Sequence, residues 1–176
     1  MLNNKIGFGG GCHWCTEGVF NSLLGVRFVE QGWIVSSPPH DTLSEAVIVN
    51  FDTTIISIKD LIQIHLYTHS CTSNHSFREK YRSAIYYFEQ EQKAIIEICI
   101  NEMQLEFENP IITKALPFRG FKLNTENYLN YLYSRPQGEF CKSSIYPKLN
   151  VLMSRFSKHL NKQKLIDNNI NLADNY

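Results

Sequence analysis

Cys12 and Cys15 stand three residues apart behind Gly9, Gly10 and Gly11, in the stretch Gly9-Gly-Gly-Cys-His-Trp-Cys-Thr-Glu17. From Cys12 onward apolar residues recur at Val19, Phe20, Leu23 and Leu24, the spacing of a helix, and Gly25 ends it. A cysteine in the first turn of a helix faces unsatisfied backbone amides and the positive end of the dipole, which favour thiolate over thiol. Cys12 is therefore a candidate nucleophile. Cys15 falls on the same helical face, so a reversible Cys12–Cys15 disulfide is geometrically allowed. The glycines alone would suggest a phosphate loop, but position 12 breaks the dinucleotide pattern and no Lys-Ser or Lys-Thr follows. By spacing alone the pair also fits inert buried thiols or half a zinc site.

A second group of potential ligands is His65, His69, Cys71 and His75. His65 and His69 lie at i, i+4, a metal-binding spacing, yet no second Cys-x-x-Cys half accompanies them. The favoured reading is structural: histidines near a helix C-terminus suit its dipole, and the polar loop after it bonds to its own backbone. Cys99 lies on the apolar stripe of a later helix and is read as structural, as is Cys71.

The elements that must position these groups follow from periodicity. Ile6-Gly-Phe is a short strand, and residues 26–35 and 46–52 are two more, joined by a Ser-Ser-Pro-Pro-His-Asp loop. Ser57 with Asp60 resembles a capping pair at the head of a helix over 57–68, and residues 68–80 are polar and irregular. A strand over 83–88, a helix over 91–107 and a strand over 111–118 follow, then helices over 124–133 and 147–160. Two strands in direct succession within a β-α-β-β-α-β order predict an α+β fold, a two-layer α/β sandwich with a ferredoxin-like core and a C-terminal helical extension. Residues 1–160 are expected to form a single catalytic domain, and 161–176, with five asparagines, a frayed tail.

The 176 residues are enough for one self-sufficient core. Seventeen basic and seventeen acidic residues give zero formal net charge, which argues against a general nucleic-acid binder and a polybasic membrane anchor. No apolar run approaches the ~20 residues of a bilayer span. Five cysteines, an odd number widely spread, do not make a secreted disulfide scaffold, and no secretory signal is read at the N-terminus. The expected setting is a reducing cytoplasm.

The cysteine segment, with Phe20, Leu23 and Gly25-Val26, resembles the active-site segment of class A peptide methionine sulfoxide reductases, whose usual form is Gly-Gly-Cys-Phe-Trp. Further similar segments occur in family order: Gln31-Gly-Trp33, Ser44 to Asp52, Ile56 to Leu61 with His69, Lys80-Tyr-Arg-Ser-Ala-Ile-Tyr86, Glu89 to Gln92, Ile111-Ile-Thr, Phe121, Tyr131-Leu132 and Pro136 to Cys141. Together they span about residues 5 to 142.

The resemblance implies thiol-dependent reduction of methionine-S-sulfoxide, free or in proteins, and so repair of oxidised proteins. Cys12 would attack the sulfoxide sulfur, Glu45 would supply the proton to its oxygen with a pKa raised by a partly apolar pocket, and Tyr81 would donate a second hydrogen bond. Trp14 would pack against the S-methyl group, with His13 beside it in the substrate pocket. The resulting sulfenic acid would condense with Cys15 or Cys141, leaving a disulfide for thioredoxin or dithiothreitol to reduce. The implied enzyme is a monomer needing neither metal nor organic cofactor. Two alternatives are a Cys-x-x-Cys thiol-disulfide oxidoreductase and a non-catalytic metal-binding or sensor protein built on the histidine cluster.

Three departures from the family pattern bear on recognition. His13 stands where a phenylalanine is usual, trading an apolar wall for a group that can hydrogen-bond. The loop before Glu45 is shortened to residues 34–44 and carries no tyrosine, and the pocket aspartate expected before Tyr81 has no match among residues 74–80.

Overall fold

The computed structural model describes residues 4–172. Its framework is a six-stranded sheet in the order β5-β4-β1-β3-β2-β6. The strands are β1 (Lys5–Gly9), β2 (Val26–Val35), β3 (Ser44–Phe51), β4 (Ala84–Tyr87), β5 (Lys114–Pro117) and β6 (Gly120–Leu123). The helices are α1 (His13–Asn21), α2 (Ile58–Thr68), α3 (Gln90–Met103), α4 (Tyr131–Ser134), α5 (Tyr146–Arg155) and α6 (Lys162–Asp167). Neighbouring strands are antiparallel except β4 and β5. The inner order β4-β1-β3-β2 joins β-α-β-β-α-β elements as expected for a ferredoxin-like core.

Period-2 alternation decides which side chains meet the helices. Ile6, Phe8, Val47, Val49, Phe51 and Ile85 point into the large core shared with the helices, where Phe8 stacks on Phe20 of α1 at 4.5 Å. Ile34, Ala46, Ala84, Tyr86 and Leu116 form a smaller cluster on the other face that contains no helical residue. Glu45 has the parity of Val47 and so faces α1, as does Trp33 opposite it on β2. This parity brings strand β3 and the cysteine segment into one site.

The predicted capping pair is present: Ser57 Oγ accepts from the Asp60 amide at 3.1 Å and the Asp60 carboxylate accepts from the Ser57 amide at 3.2 Å. The histidines after it are spent inside the protein. His65 Nε2 bonds Gly9 O at 2.9 Å, His69 Nε2 bonds Ser83 Oγ at 2.8 Å, and the two rings stack at 4.0 Å. Burial holds both rings neutral, His69 down to about 4 and His65 well below its ordinary value. Gly10 is required here, because a Cβ on it would lie 2.4 Å from the His69 ring. The structural reading of this cluster thus accounts for its contacts. Among the described residues no group of three or more His, Cys, Asp or Glu side chains could hold a metal ion.

The C-terminal third departs from the sequence expectations. The helix expected over 124–133 is replaced by a single 3-10 turn at Glu126–Tyr128 and the one-turn α4, preceded by β6, an edge strand too short to show alternation. Its continuity is broken at Asn130, in the left-handed region at φ 56°, whose amide donates to both oxygens of the buried Glu17 at 2.9 Å. The helix expected over 147–160 is α5 preceded by a π-helical turn at Cys141–Ile145, and it ends at Arg155. The strand expected over 111–118 is shorter, as β5, and the helix expected over 91–107 ends in a 3-10 turn at Gln104–Glu106.

The expectation of a frayed tail is corrected for residues 161–172; residues 173–176 lie outside those described. Leu165, Ile170 and Leu172 are buried in the main core. Three of the asparagines that suggested fraying make helix ends instead. Asn161 caps α6 by accepting from the Lys164 amide at 3.0 Å, Asn168 bonds back to Lys164 O, and Asn169 takes the left-handed turn at φ 56°.

Candidate active site

Cys12 is the residue just before α1, half-buried, with an extended backbone. Its thiol is lowered to about 6, first by the neighbouring Cys15 thiol. Burial opposes this, and the backbone N–H groups of Trp14 and Cys15 lower it further, close to the sulfur though without a fully aligned capping bond. Cys15 is correspondingly held as a thiol, its pKa raised by the neighbouring Cys12 sulfur and by burial. It donates to Ser144 O at 3.9 Å. Cys141 is fully buried, donates to Arg135 O at 3.2 Å, and acts electrostatically on Cys15.

A cavity of about 560 Å³ opens beside Cys12 and is lined by His13, Trp14, Trp33, Glu45, Lys80, Tyr81, Asn124, Tyr128 and Phe140. All the residues expected at the substrate, Cys12, His13, Trp14, Glu45 and Tyr81, therefore share one space. Trp14 is held by stacking on Tyr131 at 4.2 Å and by the edge of Phe140 at 5.5 Å, so its indole is a fixed apolar wall. Cys15 and Cys141 do not line this cavity. Cys15 faces a second one, of about 330 Å³, with Thr16, Ser144 and Lys148, and Cys12, Tyr81 and Phe140 line this one as well.

Glu45 is 5% exposed and ionised, contrary to the expectation of a raised pKa. Burial does push it upward, but the His13 ring, the His13 amide and the Lys80 ammonium together outweigh that effect. The His13 amide donates to Oε2 at 3.0 Å. The His13 ring Nδ1 lies 2.7 Å from the same oxygen, close enough for strong pairing though poorly aligned for a ring hydrogen bond. Lys80 Nζ is 3.4 Å from Oε1 and 5.0 Å from the centroid of the Tyr81 ring.

Sequence reasoning did not single out Lys80, Asn124, Tyr128 or Phe140. Asn124, Tyr128 and Phe140 come from the C-terminal segments whose elements were misassigned. Lys80 stands next to Tyr81 where the resembling segment has glutamine, and that difference was the available signal. The tyrosine missing from the shortened 34–44 loop has no counterpart there, but Tyr128 brings a phenol to the cavity from the 3-10 turn. His75 lines the second cavity rather than the first.

A low-pKa cysteine at a helix start, facing a carboxyl, a phenol and an indole wall, with a second thiol one helical turn behind it, defines a thiol-dependent redox site. The family model described as peptide methionine sulfoxide reductase matches residues 4–161, and the chain belongs to that family. A peptide methionine sulfoxide reductase from Pasteurella multocida is 34% identical over 165 residues, covering 86% of this chain and 95% of its own. One from Trichodesmium erythraeum is 34% identical over 172 residues, covering 89% and 97%. Among solved structures, reduced Mxr1 from Saccharomyces cerevisiae superposes with a TM-score of 0.69 at 21% identity, over 78% of this chain and 88% of that one. Mxr1 in complex with Trx2 superposes with a TM-score of 0.58 at 18% identity, over 70% and 81%. No helix among the described residues is long and apolar enough to cross a membrane.

Proposed function

We propose that this chain reduces methionine-S-sulfoxide, free or in proteins, to methionine. The observation that carries the reading is the placement of Cys12 in one aromatic-walled cavity with Glu45, Tyr81 and Trp14. The Cys12 thiolate attacks the sulfoxide sulfur, with Trp14 packed against the methyl group. The oxygen gains negative charge, takes a proton from Glu45 and a hydrogen bond from Tyr81, and passes to the cysteine sulfur. Methionine leaves and Cys12 is left as sulfenic acid. Glu45 must therefore gain a proton once the substrate has displaced water from around it, as desolvation favours the neutral acid.

Cys15 resolves the sulfenic acid, because it lies one helical turn behind Cys12 and both line the second cavity. A Cys12–Cys15 disulfide forms and water leaves. Cys141 is the alternative thiol for this step. A dithiol reductant, thioredoxin or dithiothreitol, returns the site to its starting state, without metal or organic cofactor. The complex of Mxr1 with Trx2 supports thioredoxin as a partner. The protein acts as a monomer in the cytoplasm, where thiols are kept reduced. In a plain disulfide oxidoreductase Glu45 and the aromatic cavity would have no task.

The test is turnover of each methionine sulfoxide epimer with dithiothreitol, repeated with Cys12→Ser. Reduction of the S epimer that disappears with Cys12→Ser is expected. Absence of S-epimer turnover, or its survival in the variant, overturns the reading.

A further inference from the structure

A chain of polar contacts runs through the floor of the cavity and fixes where the proton sits on His13. It begins at Trp33, whose indole N–H can only donate and does so to Asn124 Oδ1 at 3.1 Å. The other end of the Asn124 amide is therefore its NH₂ group. That group lies 2.7 Å from Gln31 Oε1 and 3.2 Å from His13 Nε2. The orientation of Gln31 is set independently, since its NH₂ donates to the Tyr128 carbonyl at 2.9 Å and to Glu17 Oε2 at 2.7 Å. With one Asn124 proton taken by Gln31, the other points at His13 Nε2.

We infer that Asn124 is a positioning residue of the active site, holding His13 as the neutral Nδ1–H tautomer so that its single ring proton faces Glu45. An Nε2–H would set two donors against each other, and relieving that clash would break the Trp33 or the Gln31 bond. The ionisable groups around His13 are Glu45 from β3 and Glu17 one turn further along α1, while Lys80, Tyr81 and Cys12 surround Glu45. The histidine that stands where the family has phenylalanine thus turns a directed donor toward Glu45. Glu45 Oε2 is anchored against α1, and Oε1 is the oxygen left for the proton that the substrate receives.

This inference refines the proposed reductase mechanism, but its main test needs no substrate. In ring-¹⁵N spectra at pH 7.5, His13 of the unaltered protein is expected to be neutral with the proton on Nδ1. Asn124→Asp, whose carboxylate accepts from both Trp33 and Nε2–H, is expected to show both ring nitrogens protonated. A stronger His13–Glu45 pair should then lower kcat/KM for the S epimer at pH 6 by about tenfold, the factor for one pKa unit. Asn124→Leu, which removes the donor without adding an acceptor, serves if the aspartate variant does not fold, and should let Nε2 become protonated at pH 6. An Nε2–H tautomer in the unaltered protein, or ring spectra that neither variant changes, overturns the inference. The expected spectra together with no S-epimer turnover would instead overturn the functional reading and leave the network standing.

Discussion

Cys12 lines two cavities at once, one that holds Glu45 and Trp14 and one that holds Cys15, and the Cys15 thiol is the largest influence lowering the Cys12 pKa. One neighbour thus serves two steps. It stabilises the Cys12 thiolate before reaction and leaves the second sulfur one helical turn away to close the disulfide afterwards.

The first consequence is a titration. With its thiol at about 6, Cys12 should be alkylated by iodoacetamide along a curve with that midpoint. In Cys15→Ala the largest lowering influence is gone and the midpoint should move upward toward the ordinary thiol value. An unchanged midpoint would show that the helix-start amides alone set the thiolate.

The second concerns the resolving step. After one turnover without reductant, mass spectrometry should find a Cys12–Cys15 disulfide in Cys141→Ser and a trapped sulfenic acid in Cys15→Ser. A Cys12–Cys141 disulfide forming at the normal rate in Cys15→Ser would assign resolution to Cys141.

The pH dependence has a definite sign. Reaction needs Cys12 deprotonated and Glu45 protonated, yet in the free protein Glu45 is held below its ordinary value and Cys12 at about 6. The productive form shares one proton between the two groups, and its population is greatest between the two pKa values. kcat/KM should therefore fall as pH rises through about 6 and should be highest in mildly acid solution. A profile still rising from pH 6 to 8 would contradict this. Glu45→Gln, which cannot supply the proton, should lower kcat by ~10² to 10⁴-fold.

The C-terminal segment carries a stability prediction. Leu165 is 2% exposed in the main core, so Leu165→Ala should cost about 2–5 kcal/mol in denaturant unfolding. A cost below about 0.5 kcal/mol, typical of a surface substitution, would restore the frayed tail.

The sequence by itself determined the parts governed by local rules. Helical spacing behind three glycines placed Cys12 at a helix start, two strand-like apolar runs joined by a Pro-Pro loop marked the strand pair, and Ser57 with Asp60 announced α2. The order of segments similar to the reductase family added Glu45, Tyr81 and Trp14, and all three line the cavity with Cys12. Only the tertiary structure decided what those groups are chemically. The pKa of Glu45 depends on His13 and Lys80, which are 32 and 35 positions away along the chain, and no periodicity reports the sign of the result. Asn124 enters the site because β6 pairs with the edge of β2, a register fixed by backbone hydrogen bonds between segments ninety residues apart. The C-terminal asparagines could be read as disorder or as helix caps from composition alone, and the burial of Leu165, Ile170 and Leu172 chose between them. Whether a polar residue is solvated or held in a network is set by which distant surfaces close over it, and that information resides in the packing.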